Sequence, residues 1–120
     1  MKLHHVQVSC PPGGEGSARK FYAETLGLLE IPKPPLLAAR GGAWFADDDF
    51  ELHVGVEADF APARKAHPCF AVDDVDAYAA RVGAAGYPVE WDDTIPDVRR
   101  FHTADGHGNR VEVRAQLTSR

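Results

Sequence analysis

One pattern runs through this chain twice, and that duplication restricts the folds open to it more than any other feature. The first pass begins at His5 in HHVQVS, continues through a helical stretch that stops at Gly27, and closes on FELHVGV. The second begins at His67 in HPCFAV, continues through a helical stretch that stops at Gly86, and closes on NRVEVRA. Gly27 and Gly86 are offset by 59 residues, and the same offset carries His53 onto Glu112. His5 and His67 are offset by 62, with the PPGG loop of the first pass absorbing the difference. A duplicated unit that returns His or Glu to matching strand positions points to a symmetric metal or ligand site.

Within each pass, local rules assign the elements. LHHVQVS alternates around Val6 and Val8, which predicts a strand. PPGGEG is a loop without the spacing of a phosphate cradle. Ser17 is placed to cap a helix whose stripe is Ala18, Phe21, Tyr22, Thr25 and Leu26, with Gly27 ending it in the left-handed conformation. LLEIP reads as a short strand, KPP argues against a helix, and LLAAR, AWFA and FELHVGVE read as further strands. ADFAPARKA is a polar connector. After it, HPCFAV is a strand, Asp73 or Asp74 caps a helix with the stripe Val75, Tyr78, Ala79 and Val82, and Gly86 ends that helix. YPVEW, VRRFHTA and NRVEVRA are strands, and DGHG is a turn in which His107 carries no functional role. Apart from one surplus strand in the first pass, the order is βαβββ twice, giving two modules over about 1–57 and 66–117 with a connector over 58–65.

Side-chain parity separates the two faces of these strands, because successive residues point to opposite sides. Val6, Val8, Leu52, Val54, Val56, Phe70, Val72, Val111 and Val113 form an apolar face for the helices to cover. Phe21, Tyr22 and Tyr78 belong to the same packing. The opposite face collects His5, Gln7, Glu51, His53, His67, Cys69, Arg110 and Glu112, all able to coordinate, hydrogen-bond or titrate. Of the neighbouring Arg99 and Arg100, one must turn inward. A curled sheet would make that second face a polar cavity.

At 120 residues the chain is long enough for one domain with a real core. With 13 basic and 18 acidic residues it has a formal charge of −5, unsuited to gripping nucleic acid. No apolar run reaches membrane-spanning length and no signal-peptide core precedes the first strand. Cys10 and Cys69 form no disulfide framework, so reduced thiols in a cytoplasmic protein are expected.

The LHHVQVS opening, the FYAETLGL helix end, ELHVGV, HPCFAVDDVDAYAARVGAAG and the DGHGNRVEV close together resemble the vicinal oxygen chelate superfamily. That group includes glyoxalase I, extradiol dioxygenases, and the fosfomycin and bleomycin resistance proteins. The resemblance implies an α+β fold in which paired βαβββ modules form a half-open mixed β-barrel with helices outside. It implies a divalent metal held by His5, His67 and Glu112, with His53 or Glu51 as a fourth ligand or a general base. It also implies a homodimer in which the site is shared between chains. His5 suits the role better than His4, because it shares its face with Gln7. Gln7, Cys69, Arg100, His102 and Arg110 are the candidates for touching substrate. One departure from the family pattern is Gly106, which stands where proline is common in the last turn.

Two imidazoles and a carboxylate suit Fe, Mn, Zn, Ni or Co as divalent ions and leave coordination positions open. A substrate with two adjacent oxygens could occupy those positions, in lyase, isomerase or dioxygenase chemistry. The rival reading is a metal-free module that sequesters a drug or metabolite in the same cavity.

Overall fold

The two passes become two sheets of one topology. The structure is a computed structural model, and it describes residues 1–116. Residue 117, the far bound of the expected second module, lies outside the described residues. The first sheet contains β1 (His5–Cys10), β2 (Leu29–Ile31), β3 (Ala43–Ala46) and β4 (Glu51–Val56), in the order β1-β4-β3-β2. The second contains β5 (Cys69–Val72), β6 (Glu90–Asp92), β7 (Arg100–Ala104) and β8 (Arg110–Ala115), in the order β5-β8-β7-β6. In both, the outermost strand runs parallel to the last one, and the remaining pairs are antiparallel.

The α+β class and the doubled βαβββ order match the expectation from sequence. The half-open arrangement of the strands matches it too. Among the described residues the chain makes two open four-stranded sheets and no closed barrel.

Parity holds in the register. Val6 pairs with Leu52 and Val8 with Val54 on one face, while His5 pairs with Glu51 and Gln7 with His53 on the other. Leu52, Val54, Val111 and Val113 are fully buried, with Val6, Val8, Phe70 and Val72 packed against them. The rings of Phe50 and Phe70 lie 5.5 Å apart and join the apolar faces of the two modules.

Helix α1 (Glu15–Ala18) starts earlier than expected, so Ser17 lies inside it and Gly14 is the cap residue. The chain continues as a π-helix over Arg19–Thr25. Leu26 N–H therefore reaches back five residues to Phe21 O at 2.9 Å. Phe21, Tyr22, Thr25 and Leu26 are all buried along this stretch. LLAAR is not a strand. Pro35 begins a short helix, α2 (Pro35–Ala38), because proline at the first helical position loses only an N–H that has no intrahelical partner. Helix α3 (Val75–Ala84) is capped by Asp74, whose side chain accepts from Ala77 N–H at 3.0 Å.

Both helical stretches end in a left-handed glycine, with φ of +84° at Gly27 and +95° at Gly86. Nothing lies within 4 Å of where a Cβ would stand on Gly86, so substitution there tests backbone strain alone. Gly86→Ala should cost about 1 kcal/mol in urea unfolding, and Gly86→Asn less, because asparagine tolerates this conformation.

The expected turn before β8 is also a packing device. Asp105 Oδ1 accepts from the N–H groups of His107 at 2.9 Å and Asn109 at 3.0 Å. Its Oδ2 accepts from Tyr22 Oη at 2.7 Å and Asn109 Nδ2 at 3.0 Å. Asn109 Nδ2 also donates to Ser9 O at 2.8 Å, which ties the second module's last strand to the first module's first. His107 Nε2 bonds Gly14 O at 2.8 Å, so it anchors the loop before α1. A Cβ on Gly106 would stand 2.1 Å from Ser17 Oγ, so any larger residue there makes the Ser17 hydroxyl rotate away.

Candidate metal centre

Three strands converge on Glu112. Its position on β8 faces Cys69 of β5 on one side and His102 of β7 on the other. His67 stands two residues before β5 begins, and Glu112 N–H donates to Pro68 O at 3.0 Å, which holds that approach against the sheet. As a result His67 Nε2 lies 2.9 Å from Glu112 Oε1. Potential donor atoms of His67, His102 and Glu112 all fall within 4.8 Å of one another.

The hydrogen bonds around His67 carry the chemical information. Its Nδ1 faces Lys65 O at 2.8 Å, so the proton of a neutral ring belongs there. Nε2 would then turn a lone pair toward a carboxylate. A positive charge between the two resolves this conflict, supplied by a second proton or by a metal ion in its place. An imidazole anchored to a carbonyl through its other nitrogen is also the usual arrangement of a metal-binding histidine. The donor set therefore fits a divalent cation.

His102 is differently committed. Its Nε2 lies 3.1 Å from Asp92 Oδ2, and its Nδ1 faces Arg110 Nη2 at 3.4 Å. A neutral ring with its proton on Nε2 satisfies both.

Arg100 is the inward-turned arginine. Its Nη1 donates to Glu112 Oε2 and its Nη2 to Asp92 Oδ2, both at 3.0 Å. Arg99 turns outward and pairs with Asp76. Burial alone would raise the Glu112 carboxyl, but hydrogen bonds from His67 and Arg100, with the Arg100 charge, hold it below the ordinary carboxylate range. Asp92 is held well below its ordinary value by its bonds from Thr94 and His102. Cys69 reaches the surface as a residue, yet desolvation of its sulfur and the neighbouring Glu112 push the thiol up to about 11. It is a neutral hydrogen-bonding group at physiological pH rather than a nucleophile.

The first module builds a second cluster. The rings of His5 and His53 stack at 4.1 Å, and Trp44 stacks on the opposite side of His53 at 4.0 Å. His53 is buried, and its Nε2 lies 2.8 Å from Glu51 Oε1. The bond from His53 lowers the Glu51 carboxyl, so Glu51 is ionised at neutral pH. His4 Nδ1 approaches His5 Nδ1 at 2.9 Å, so both histidines of the pair belong to this cluster. Gln7 and His67 line one cleft of about 330 Å³ between the modules.

The structure thus brings His67, Glu112, His102, Arg100 and Cys69 together, and groups His5 with His53 and Glu51. The three-donor cluster does not include His5. Sequence reasoning missed Asp92, which supports both Arg100 and His102. The available signal was parity: Asp92 pairs with Arg100 in the register of β6 and β7.

No protein-family model and no curated protein matches the sequence. Solved structures do. A protein from Bacillus anthracis described as of the glyoxalase family is 44% identical, superimposes with a TM-score of 0.93, and shares 98% of this chain and 96% of its own. The chain belongs to the glyoxalase family. The glyoxalase fold, that of the vicinal oxygen chelate superfamily, recurs in more distant structures. A lactoylglutathione lyase from Agrobacterium tumefaciens is 23% identical over 94% of this chain and 92% of that one, with a TM-score of 0.73. An antibiotic binding protein from a Streptomyces species is 21% identical over 98% and 97%, with a TM-score of 0.76. An enzyme and a binding protein share this glyoxalase frame, so chemistry has to be argued from the site. No helix of the described residues is long and apolar enough to cross a membrane.

Proposed function

We propose that this glyoxalase-family chain acts as a homodimer that binds a small oxygenated metabolite at a divalent metal. His67 and Glu112 of one chain and His5 of a second copy supply the donors, with Glu51 or His53 completing them. The observation that carries this reading is the imidazole of His67 set between two acceptors, Lys65 O at 2.8 Å and Glu112 Oε1 at 2.9 Å. When bound, the ion supplies Lewis-acid stabilisation of an oxyanion on a substrate with two adjacent oxygens.

The chain's own groups then have distinct tasks. Glu51 is ionised and hydrogen-bonded to a ring clamped between Trp44 and His5, so it can accept a substrate proton at Oε1 or Oε2. The same burial of His53 suits it to orienting Glu51. Gln7, Cys69 and His102 offer neutral hydrogen-bonding groups, while Arg100 and Arg110 offer positive charge. Exposed Leu3, Leu29 and Leu36 give a second copy apolar surface to cover.

Sharing the site between copies has a direct test. His5→Ala and His67→Ala each damage every site in a homodimer. In a mixed dimer, one site receives both lesions and the other receives neither. Co-refolding the two variants should therefore restore about a quarter of the wild-type metal content under random reassociation. No recovery, with dimers seen by sedimentation, would place each site within one chain.

A second reading is supported by Arg100. Its guanidinium already neutralises Glu112, and its buried Nε–H has no hydrogen-bond partner among the described residues. Those features suit a metal-free cavity that binds an acceptor-rich ligand. Wild-type protein that takes up no Zn, Mn, Ni, Co or Fe on anaerobic reconstitution would favour this reading over the metal one.

A further inference from the structure

We propose that Arg64 and Arg110 form an anion subsite beside the metal cluster, so that the ligand is a small carboxylate or phosphate ester carrying two vicinal oxygens. This rests on the metal reading for the chelating end of the ligand only.

The connector is clamped to the start of β8. Arg110 N–H donates to Ala63 O at 2.8 Å, and Ala63 N–H donates to Asn109 Oδ1 at 3.0 Å. This pair of bonds sets Arg64 beside Arg110, although 46 residues separate them in sequence. Both arginines line one open cleft of about 470 Å³, with His102 on its wall. Among the described residues neither takes part in an ion pair. The single carboxylate lining the cleft is Glu90, which is exposed and pairs in register with His102.

Arg100 of the same sheet is matched by Glu112 and Asp92. Arg110 Nη2 approaches His102 Nδ1 at 3.4 Å, and no carboxylate pairs with Arg110 among the described residues. Two arginines that line one cleft, neither in an ion pair among the described residues, are set for an external oxyanion.

The spacing ties this subsite to the cluster. Arg110 and Glu112 lie on one face of β8, two residues apart, which is roughly 6.6 to 7 Å along a strand. His102 bridges the two, facing Arg110 with one nitrogen while its ring belongs to the donor group of His67 and Glu112. A ligand chelated at Glu112 and His67 thus reaches the arginines with a charged group a few bonds from its vicinal oxygens.

A matched pair of chelators tests this in Zn-loaded dimer by calorimetry. Acetohydroxamate reports chelation alone, and succinate monohydroxamate adds a carboxylate. The carboxylate should tighten binding about tenfold at low salt, the size of one charge-assisted hydrogen bond. That ratio should fall to near one in Arg64→Gln and in Arg110→Gln, and in wild type at high salt. Equal binding of the two chelators by wild type would overturn the subsite and leave the metal reading standing. Arginine-dependent binding of the carboxylate compound alone, with no acetohydroxamate binding, would support the subsite and count against the metal.

Discussion

Replacing His67 with alanine is expected to lower bound divalent metal from near one equivalent per chain to background. Two consequences of the geometry converge here. The substitution removes an imidazole whose Nε2 lies 2.9 Å from Glu112 Oε1, and it frees Lys65 O, which fixes that ring. It also leaves Glu112 paired with Arg100, a cation that competes with a metal ion for the same carboxylate. A ligand that binds only the folded state stabilises it by mass action, by about 4 kcal/mol when present at a thousand times its dissociation constant. Wild-type protein in excess metal should therefore melt more than about 10 °C above its EDTA-treated form, and His67→Ala should lose that difference. His107→Ala is the control, since that ring anchors Gly14 O far along the chain from the cluster. Elemental analysis and melting curves read the result. An unchanged metal content in His67→Ala would remove this residue from the site.

Asp105→Ala is expected to cause the largest loss of stability, about 3 to 5 kcal/mol in urea unfolding. One carboxylate accepts from Tyr22 Oη, Asn109 Nδ2 and the N–H groups of His107 and Asn109. Tyr22 is fully buried and Asn109 nearly so, leaving no water to replace the acceptor. Burial and the Asp105 charge push the Tyr22 phenol well above its ordinary value, so it remains a donor throughout the accessible pH range. Each buried donor left alone costs about 1 to 3 kcal/mol, though losses within one network do not simply add. Asp105→Asn keeps one carbonyl oxygen and should cost less than half as much. For a domain stabilised by about 5 to 15 kcal/mol, the alanine variant would be marginal. A loss below about 1 kcal/mol would mean that solvent reaches the turn.

These two predictions differ in how far the sequence alone supports them. Parity places His67 and Glu112 on one polar face and the resemblance joins them in one ligand set, while the pairing of β5 with β8 is what brings them together. Strand alternation places Glu112 with His67 on the polar face, and the matching glycines at 27 and 86 mark the ends of both helical stretches. The same rule separated Val54 from His53 and predicted that one of two adjacent arginines turns inward. None of this requires knowing which sheet packs on which.

The Asp105 network could not be read that way. Its donors come from positions 22, 107 and 109, and Asn109 also reaches Ser9, so only folding brings these groups together. DGHG reads locally as a turn, and nothing in its residues announces that Gly106 meets Ser17. The apolar stripe over Arg19–Thr25 is visible in the sequence, but its π-helical winding is not. At Pro35 the rule that proline breaks helices gives way, because its missing N–H costs nothing at a first turn.

The division between sequence and tertiary structure follows the range of the forces involved. Alternation, helix stripes, caps and terminal glycines are set by backbone geometry over a few residues, so this chain's doubled βαβββ plan and its polar faces are written in its order of residues. The grouping of His5 with His53 rather than with His67, the Asp92 support beneath Arg100 and His102, and the meeting of Arg64 with Arg110 depend on contacts between distant segments. Those contacts form only when burial of the shared apolar core offsets the entropy of bringing the segments together.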